Sequence, residues 1–361
     1  MKLLCKKLFY FFPLLLCIII INYIVDPTKF FHFKSEKQMA QALLHNTNVV
    51  PLSVFNDRML QYHYIRGLRE KKDIIVLGSS HTMLIGSESF PKQSFFNSSV
   101  SGASIEDLIT IYSLYKNEHL IPKTIIIGID PWLFNKNNEL TSWLTLAQTY
   151  ESGFLEKDIH WISKIKIFTQ IVFQTINRLI SPLYFRESLR YICCTSHTIG
   201  FTTAKNRFSN QGKVILTDGS IEYEQYIRLR TPKDIEKEAK KHINSDTLYS
   251  LNNFYELNPE LLYKFQRFIE ELKKEKSNII FFLSPYHPIL YDYIIQDPKY
   301  AIVQKVQQHI TWYAKINGIT IIGSYNPSDI LLKNEDFYDE MHVQKEAVKK
   351  LFMNINLLPS K

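Results

Sequence analysis

The chain has 361 residues, 45% of them hydrophobic and 22% charged, a balance that excludes disorder. Its 11 Gly and 14 Pro exclude collagen-like and linker-dominated classes, and its aromatic content of 14% is enough for a sizeable core. The formal charge of +8 suits anionic partners, whether nucleic acid, phospholipid heads or acidic glycans, without choosing among them.

At the N-terminus Lys2, Lys6 and Lys7 precede an uncharged run from Leu8 to Val25, interrupted by Pro13 and Asn22. Eighteen helical residues reach about 27 Å, just enough for a hydrocarbon core. A cleaved signal peptide would end on small residues, whereas this run ends Asn-Tyr-Ile-Val-Asp-Pro-Thr. Residues 1–25 are therefore expected to be a retained single-pass membrane anchor. Lysines on its N-terminal side keep that end cytoplasmic and leave the rest of the chain extracytoplasmic. Residues 26–70 mix aromatic and polar side chains and read as a stalk with short helices.

From Lys71 the pattern changes. Short runs at Asp73–Leu77, Thr124–Ile129, Asn278–Ser284 and Ile319–Gly323 are almost wholly Ile, Val, Leu or Phe, without polar alternation. Strands buried on both faces of a parallel sheet have that composition. Ser94–Asn97 is a further candidate strand. Ser104–Lys116, Asn258–Lys276 and Pro298–Ile316 are helix-length segments between them. Alternating strands and helices predict an α/β domain over residues 71–355, a three-layer α/β/α sandwich with a mostly parallel sheet. The alternation lapses at about 135–257, too long for a loop, so a helical insertion is expected there. Within it, Lys233–His242 reads as a solvated helix face.

Ligands of an open parallel sheet sit beyond the carboxyl ends of its strands. The residues there are Gly78-Ser79-Ser80-His81, Ser98 to Gly102, Gly128-Ile129-Asp130-Pro131-Trp132 and Ser284-Pro285-Tyr286-His287. Asp339-Glu340-Met341-His342 follows the last strand. A serine hydroxyl is a poor nucleophile until an imidazole takes its proton, and the imidazole needs a carboxylate to hold its tautomer. Ser80, His342 and Asp339 fill those roles, since Asp and His three residues apart meet on one turn. The backbone N–H groups of Ser80 and Gly102 are the expected oxyanion hole, Gly leaving the approach open. With 11 His and 35 acids, an acid three residues before a His occurs about once by chance, so the signal lies in order and placement along the sheet edge.

On these blocks the chain resembles the SGNH/GDSL hydrolase superfamily. Gly78-Ser79-Ser80 is similar to its first block, with Ser80 at the nucleophile position. Asn97 to Gly102 is similar to the second, and Asp339 to His342 matches the final Asp-x-x-His. The third block normally reads Gly-x-Asn-Asp, and here Asp130 stands where the oxyanion-hole Asn belongs. An ionised Asp repels an oxyanion, so Asp130 is expected to position substrate or to cap the Asp130-Pro131-Trp132 turn. The resemblance implies a flavodoxin-like fold and serine acyl-ester chemistry with neither metal nor other cofactor. Behind an anchor, it is similar to bacterial cell-envelope acyltransferases and esterases that act on polysaccharide.

The expected function is thus a membrane-anchored O-acyltransferase or esterase acting on cell-envelope or exported polysaccharide. The alternative is a catalytically silent scaffold that binds an envelope glycan or an export partner. Expected partners are the membrane, the glycan and a membrane-bound acyl-donor protein. Nucleic acid is not among them, because the positive charge forms no basic-aromatic stripe. Three further residues have two readings each: His81, Tyr286 and His287 contact substrate or pack. Trp132 either packs or offers a sugar-stacking face.

Overall fold

The computed structural model describes residues 2–27, 30–52, 54–153, 161–194, 200–244 and 248–353, without the side chains of 2–11, 161, 162 and 194. Helix α1 (Lys2–Val25) carries the N-terminal apolar run. Among the described residues no helix is long and apolar enough to cross a membrane. The three lysines and the first residues of the expected span lie outside the described side chains.

Residues 26–70 are not a free-standing stalk. They form α2 (Lys34–Leu44), β1 (Asn48–Pro51) and α3 (Asp57–Gly67). Met39 and Leu43 on α2, and Leu60 and Tyr64 on α3, fall one helical turn apart and enter the main core. The aromatic and polar mixture of the sequence is the amphipathic pattern of two short helices.

The apolar runs become β2 (Ile74–Leu77), β3 (Phe95–Asn97) and β4 (Thr124–Gly128), with α4 (Ile105–Asn117) between the last two. Residues 135–257 follow. They supply α5 (Ala147–Glu151), α6 (Trp161–Ile180) and α7 (Pro182–Cys194). Strands β5 (Phe201–Ala204), β6 (Val214–Ile215) and β7 (Ile221–Glu222) come next. The insertion closes with α8 (Gln225–Arg228) and α9 (Pro232–Ile243). The chain then completes α10 (Pro259–Lys274), β8 (Asn278–Leu283), α11 (Pro288–Gln296), α12 (Ile302–Asn317), β9 (Thr320–Gly323) and α13 (Lys345–Met353).

Five strands pair in parallel in the order β3-β2-β4-β8-β9, with Ile75 beside Ile125 and Ile125 beside Ile279. Alternate residues serve opposite faces, as the pleat requires. Ile75, Leu77, Ile127 and Phe281 join a core with α4, α10 and α12. Ile74, Val76, Ile126 and Phe282 join a second core with Val348 and Phe352 of α13. Both faces are therefore dry, which is why these strands show no polar alternation, and the arrangement is compatible with a three-layer sandwich.

The insertion is not purely helical. Among the described residues its three strands join β1 in a second, antiparallel sheet of order β5-β1-β6-β7, in which β5 and β6 pair with β1 and β7 pairs with β6. Two-residue strands whose partner lies so far back in the chain leave no periodicity for a sequence to display.

Candidate active site

The strand order reverses between β2 and β4, so the loops leaving these neighbours part and open a crevice at their carboxyl ends. Gly78 and Gly128 close the two strands side by side. A Cβ on Gly78 would meet Gly128 Cα at 3.2 Å and Thr82 Oγ1 at 2.5 Å, so only glycine lets Thr82 tuck under the crevice. Ser79 is buried, and its hydroxyl accepts from the His81 N–H at 3.2 Å. That cap starts a 3₁₀ turn at Ser80–Thr82 and presents Ser80, half-buried, to the crevice.

His342 Nε2 lies 3.0 Å from Ser80 Oγ, while His342 Nδ1 lies 2.9 Å from both Asp339 carboxylate oxygens. Asp339 Oδ1 also accepts from the Met341 and His342 N–H groups at 2.8 Å. Burial pushes the Asp339 carboxyl up, but the His342 charge, its ring N–H and the two backbone donors outweigh it and hold the group at about 2. Burial pushes His342 down, and the carboxylate of Asp339, helped by Glu340 and Asp130, raises it above its ordinary value. With Nδ1–H donated to Asp339, Nε2 is left to accept the Ser80 proton. The loop carrying the pair is tied to the end of β8, where the His287 N–H donates to the Glu340 carbonyl at 3.0 Å.

Gly102 takes a left-handed φ of 54°, and a side chain there would run into the Tyr249 hydroxyl. The loop before it is braced by Asn97, whose Nδ2 donates to the Thr82 and Ile85 carbonyls at 2.7 and 2.9 Å. Two residues of α3 fix its far end. Asp57 accepts from the Ser101 N–H at 2.6 Å, and Arg58 Nη2 donates to the Gly102 carbonyl at 3.3 Å. Arg58 is buried and grips Asp107 through Nε and Nη2, both at 2.9 Å. Desolvation would lower the guanidinium, but Asp107 and Asp57 raise it further. Neither Asp57 nor Arg58 stood out in the sequence. An Asn-Asp-Arg start to an amphipathic helix was the available signal, concealed by reading the segment as a stalk.

Asp130 does not cap the turn that follows it. Its Oδ1 lies 2.7 Å from His81 Nδ1, both side chains buried, and its Oδ2 has no hydrogen-bond partner among the described residues. The His81 ring stands edge-on to Trp132 and His342, with centroids 5.2 and 5.4 Å apart. Trp132 is 1% exposed and gives its indole N–H to the Ala103 carbonyl at 3.1 Å, so it offers no open face to a sugar. Tyr286 is equally buried, 6.2 Å from the His81 ring, and burial beside Asp130 drives its hydroxyl well above the ordinary range. His287 is a helix cap: its Nδ1 accepts from the Ile289 N–H at 3.3 Å at the start of α11. Burial lowers it, against the pull of Glu236 and Asp339.

The insertion reaches the same crevice. Tyr223 stands 6.1 Å from the His342 ring, Tyr249 packs on Trp132 at 5.2 Å, and His242 pairs with Glu340 at 2.8 Å. A separate surface cleft of about 450 Å³ is lined by Asn210, Gln211, Gly212 and Tyr226 among others, and by no member of the serine site. Among the described residues no cluster of His, Cys, Asp and Glu has the makings of a metal site. No protein-family model matches the chain, and no curated protein matches it either.

Proposed function

We propose that this protein is a membrane-anchored, extracytoplasmic serine acyl-ester enzyme of SGNH type, an O-acyltransferase or esterase acting on cell-envelope or exported polysaccharide. One observation carries the reading: Ser80 Oγ, His342 and Asp339 form a continuous relay of 3.0 and 2.9 Å contacts at the sheet's switch point. The five-strand order, 2-1-3-4-5 when numbered within the sheet, is that of flavodoxin-like sandwiches and supports the fold assignment. The anchor rests on the sequence of the uncharged run Leu8 to Val25, which lies within α1.

In the proposed reaction His342 Nε2 takes the hydroxyl proton as Ser80 Oγ bonds to the acyl carbon. The carbonyl pair moves onto oxygen, which faces the Ser80 and Gly102 N–H groups. The ester C–O bond then breaks and the leaving alcohol collects the proton from His342. A glycan hydroxyl or water repeats the sequence in reverse on the acyl-serine, returning the proton through His342 to Ser80. Asp339 stays ionised and holds the imidazole. Tyr223 and Tyr249 wall the crevice, and how far they exclude water sets the balance between transfer and hydrolysis.

The test is turnover of a chromogenic acetate by the full chain, with and without a polysaccharide acceptor. Ser80-dependent hydrolysis is expected, and a transferase will also acetylate the acceptor. Equal hydrolysis by wild type and Ser80→Ala sinks the proposal. Asp130 at the usual Asn position favours the silent-scaffold reading, which predicts glycan binding with no turnover at all.

A further inference from the structure

Helix α6 carries an apolar stripe that no other described residue covers. Ile167, Ile171, Gln174 and Arg178, spaced at three and four residues, turn toward the protein. Ile165, Phe168, Val172, Phe173, Ile176 and Ile180 are all exposed, Phe168 at 66% and Phe173 at 65%. At 100° per residue these six fall within about 140° of the helix circumference, flanked by Lys164 on one side and Lys166 on the other. The helix contains no acidic residue. Soluble surfaces scatter large apolar side chains singly, so six on one stripe mark a contact face.

The stripe continues onto its neighbours. Helix α7 exposes Leu183, Leu189 and Ile192 and carries Arg186 and Arg190, both of them paired with Glu187 at 3.2 and 3.1 Å. Both helices pack on α1, whose Phe12, Leu16, Ile20 and Ile24, four residues apart, are also exposed. Side-chain hydrogen bonds close the joint between them. Asn22, the one strongly polar residue within the α1 run, is fully buried, and its Nδ2 donates to the carbonyls of Arg178, Leu179 and Ser181 at 3.1, 2.9 and 3.3 Å. Its Oδ1 accepts from the Ser188 hydroxyl at 3.2 Å, and Asp26 accepts from the Tyr184 hydroxyl at 2.7 Å. The final carbonyls of a helix have no intrahelical partner and are met by side chains, by water or by a tightened last turn. Meeting those of α6 with an amide from α1 is what a water-poor surrounding demands.

We propose that α6 and α7 lie on an anionic phospholipid bilayer, their apolar stripe sunk to the headgroup–acyl boundary and Lys164 and Lys166 among the phosphates. A long helix with one apolar face, flanking lysines and no acid is suited to that position and poorly suited to a second copy of itself, whose cations it would repel. Occupancy by lipid turns α1 from a tether into one leg of a three-helix platform. Because residues 26–70 are folded rather than a stalk, the catalytic domain is held against the membrane in one orientation. The inference shares α1 with the anchor in the proposed function, so the experiment reads the two separately.

The full chain, with Cys5, Cys17, Cys193 and Cys194 replaced by Ser, is reconstituted into phosphatidylglycerol-containing vesicles. It carries one environment-sensitive fluorophore through Phe173→Cys, Ile20→Cys or Trp312→Cys. Trp312 is exposed on α12 and serves as the aqueous reference. Nitroxide lipids should quench the Phe173→Cys label several-fold more than the Trp312→Cys label. Quenching of the Ile20→Cys label with none at Phe173→Cys keeps the anchor and overturns the platform. Quenching at Phe173→Cys without quenching at Ile20→Cys keeps the platform and overturns the anchor. Protection of the Phe173→Cys label from nitroxide together with cross-linking of two chains through it assigns the stripe to a second copy, and the proposal fails.

Discussion

Two imidazole–carboxylate pairs flank Ser80, and they are built in opposite ways. Asp339 and His342 sit three residues apart on one loop, half-buried, with the second imidazole nitrogen on the serine hydroxyl. Asp130 and His81 come from different strand ends, are both buried, and close a 2.7 Å contact beneath the crevice. The first pair has the geometry to exchange a proton with a reacting group, because its second nitrogen reaches the Ser80 hydroxyl. The second is fixed between Trp132, Tyr286 and the first imidazole, so its geometry suits it to hold the floor of the site. Placement relative to Ser80, rather than residue type, separates a base from a support.

The largest effects should come from the first pair and its serine. Ser80→Ala, His342→Ala and the double variant are each expected to lower turnover of the chromogenic acetate by on the order of 10⁵-fold, the double no more than the singles, because the residues act as a unit. Multiplying losses in the double variant would break the claim that His342 works through Ser80. Asp339→Asn leaves serine and imidazole in place but removes the charge, and a loss of about 10³- to 10⁴-fold is expected.

The pH profile sharpens the same contrast. His342 must be neutral to accept a proton, and its pKa lies above the ordinary 6.5. Turnover should therefore rise with pH and level off only above that value, with Asp339→Asn moving residual activity's inflection downward. Stability follows the opposite signs of the two partners. The contribution of Asp339 is present above the unfolded carboxyl value and is lost as pH falls toward about 2, whereas that of His342 is lost as pH rises through its raised value. Denaturant midpoints measured across acid pH should show a wild-type decline that Asp339→Asn flattens, worth at most about 2 kcal/mol.

The smallest effect is expected from the second pair. Asp130→Asn keeps an oxygen for the His81 ring N–H, so acetate hydrolysis should stay within about tenfold of wild type with an unchanged circular dichroism spectrum. A restored oxyanion donor would instead be worth about 3 kcal/mol, roughly a hundredfold acceleration. That outcome would erase the distinction between the pairs, because Asp130 would then be a weakened member of the oxyanion hole.

The same contrast explains what was legible in the sequence. Asp339 and His342 could be paired on paper because three residues is a single turn, and β2, β4 and β8 could be placed because burial on both faces leaves unbroken apolar runs. The contact between Asp130 and His81 depends on the register of β2 against β4, which no local pattern encodes, so Asp130 read as a turn cap or a substrate-positioning residue. The bracing of Gly102 by Arg58 depends on α3 folding back onto α4, and the second sheet on β1 pairing with strands of the insertion. In each case the information lies in a pairing between distant segments rather than in the residues of either one.

The claim that Ser80 is the activated nucleophile is tested most directly by fluorophosphonate labelling of the full chain, with the modified residue located by mass spectrometry. The expected result is one stoichiometric adduct on Ser80, absent in Ser80→Ala and strongly slowed in His342→Ala. An adduct on the buried Ser79, or equal labelling of wild type and Ser80→Ala, would contradict it.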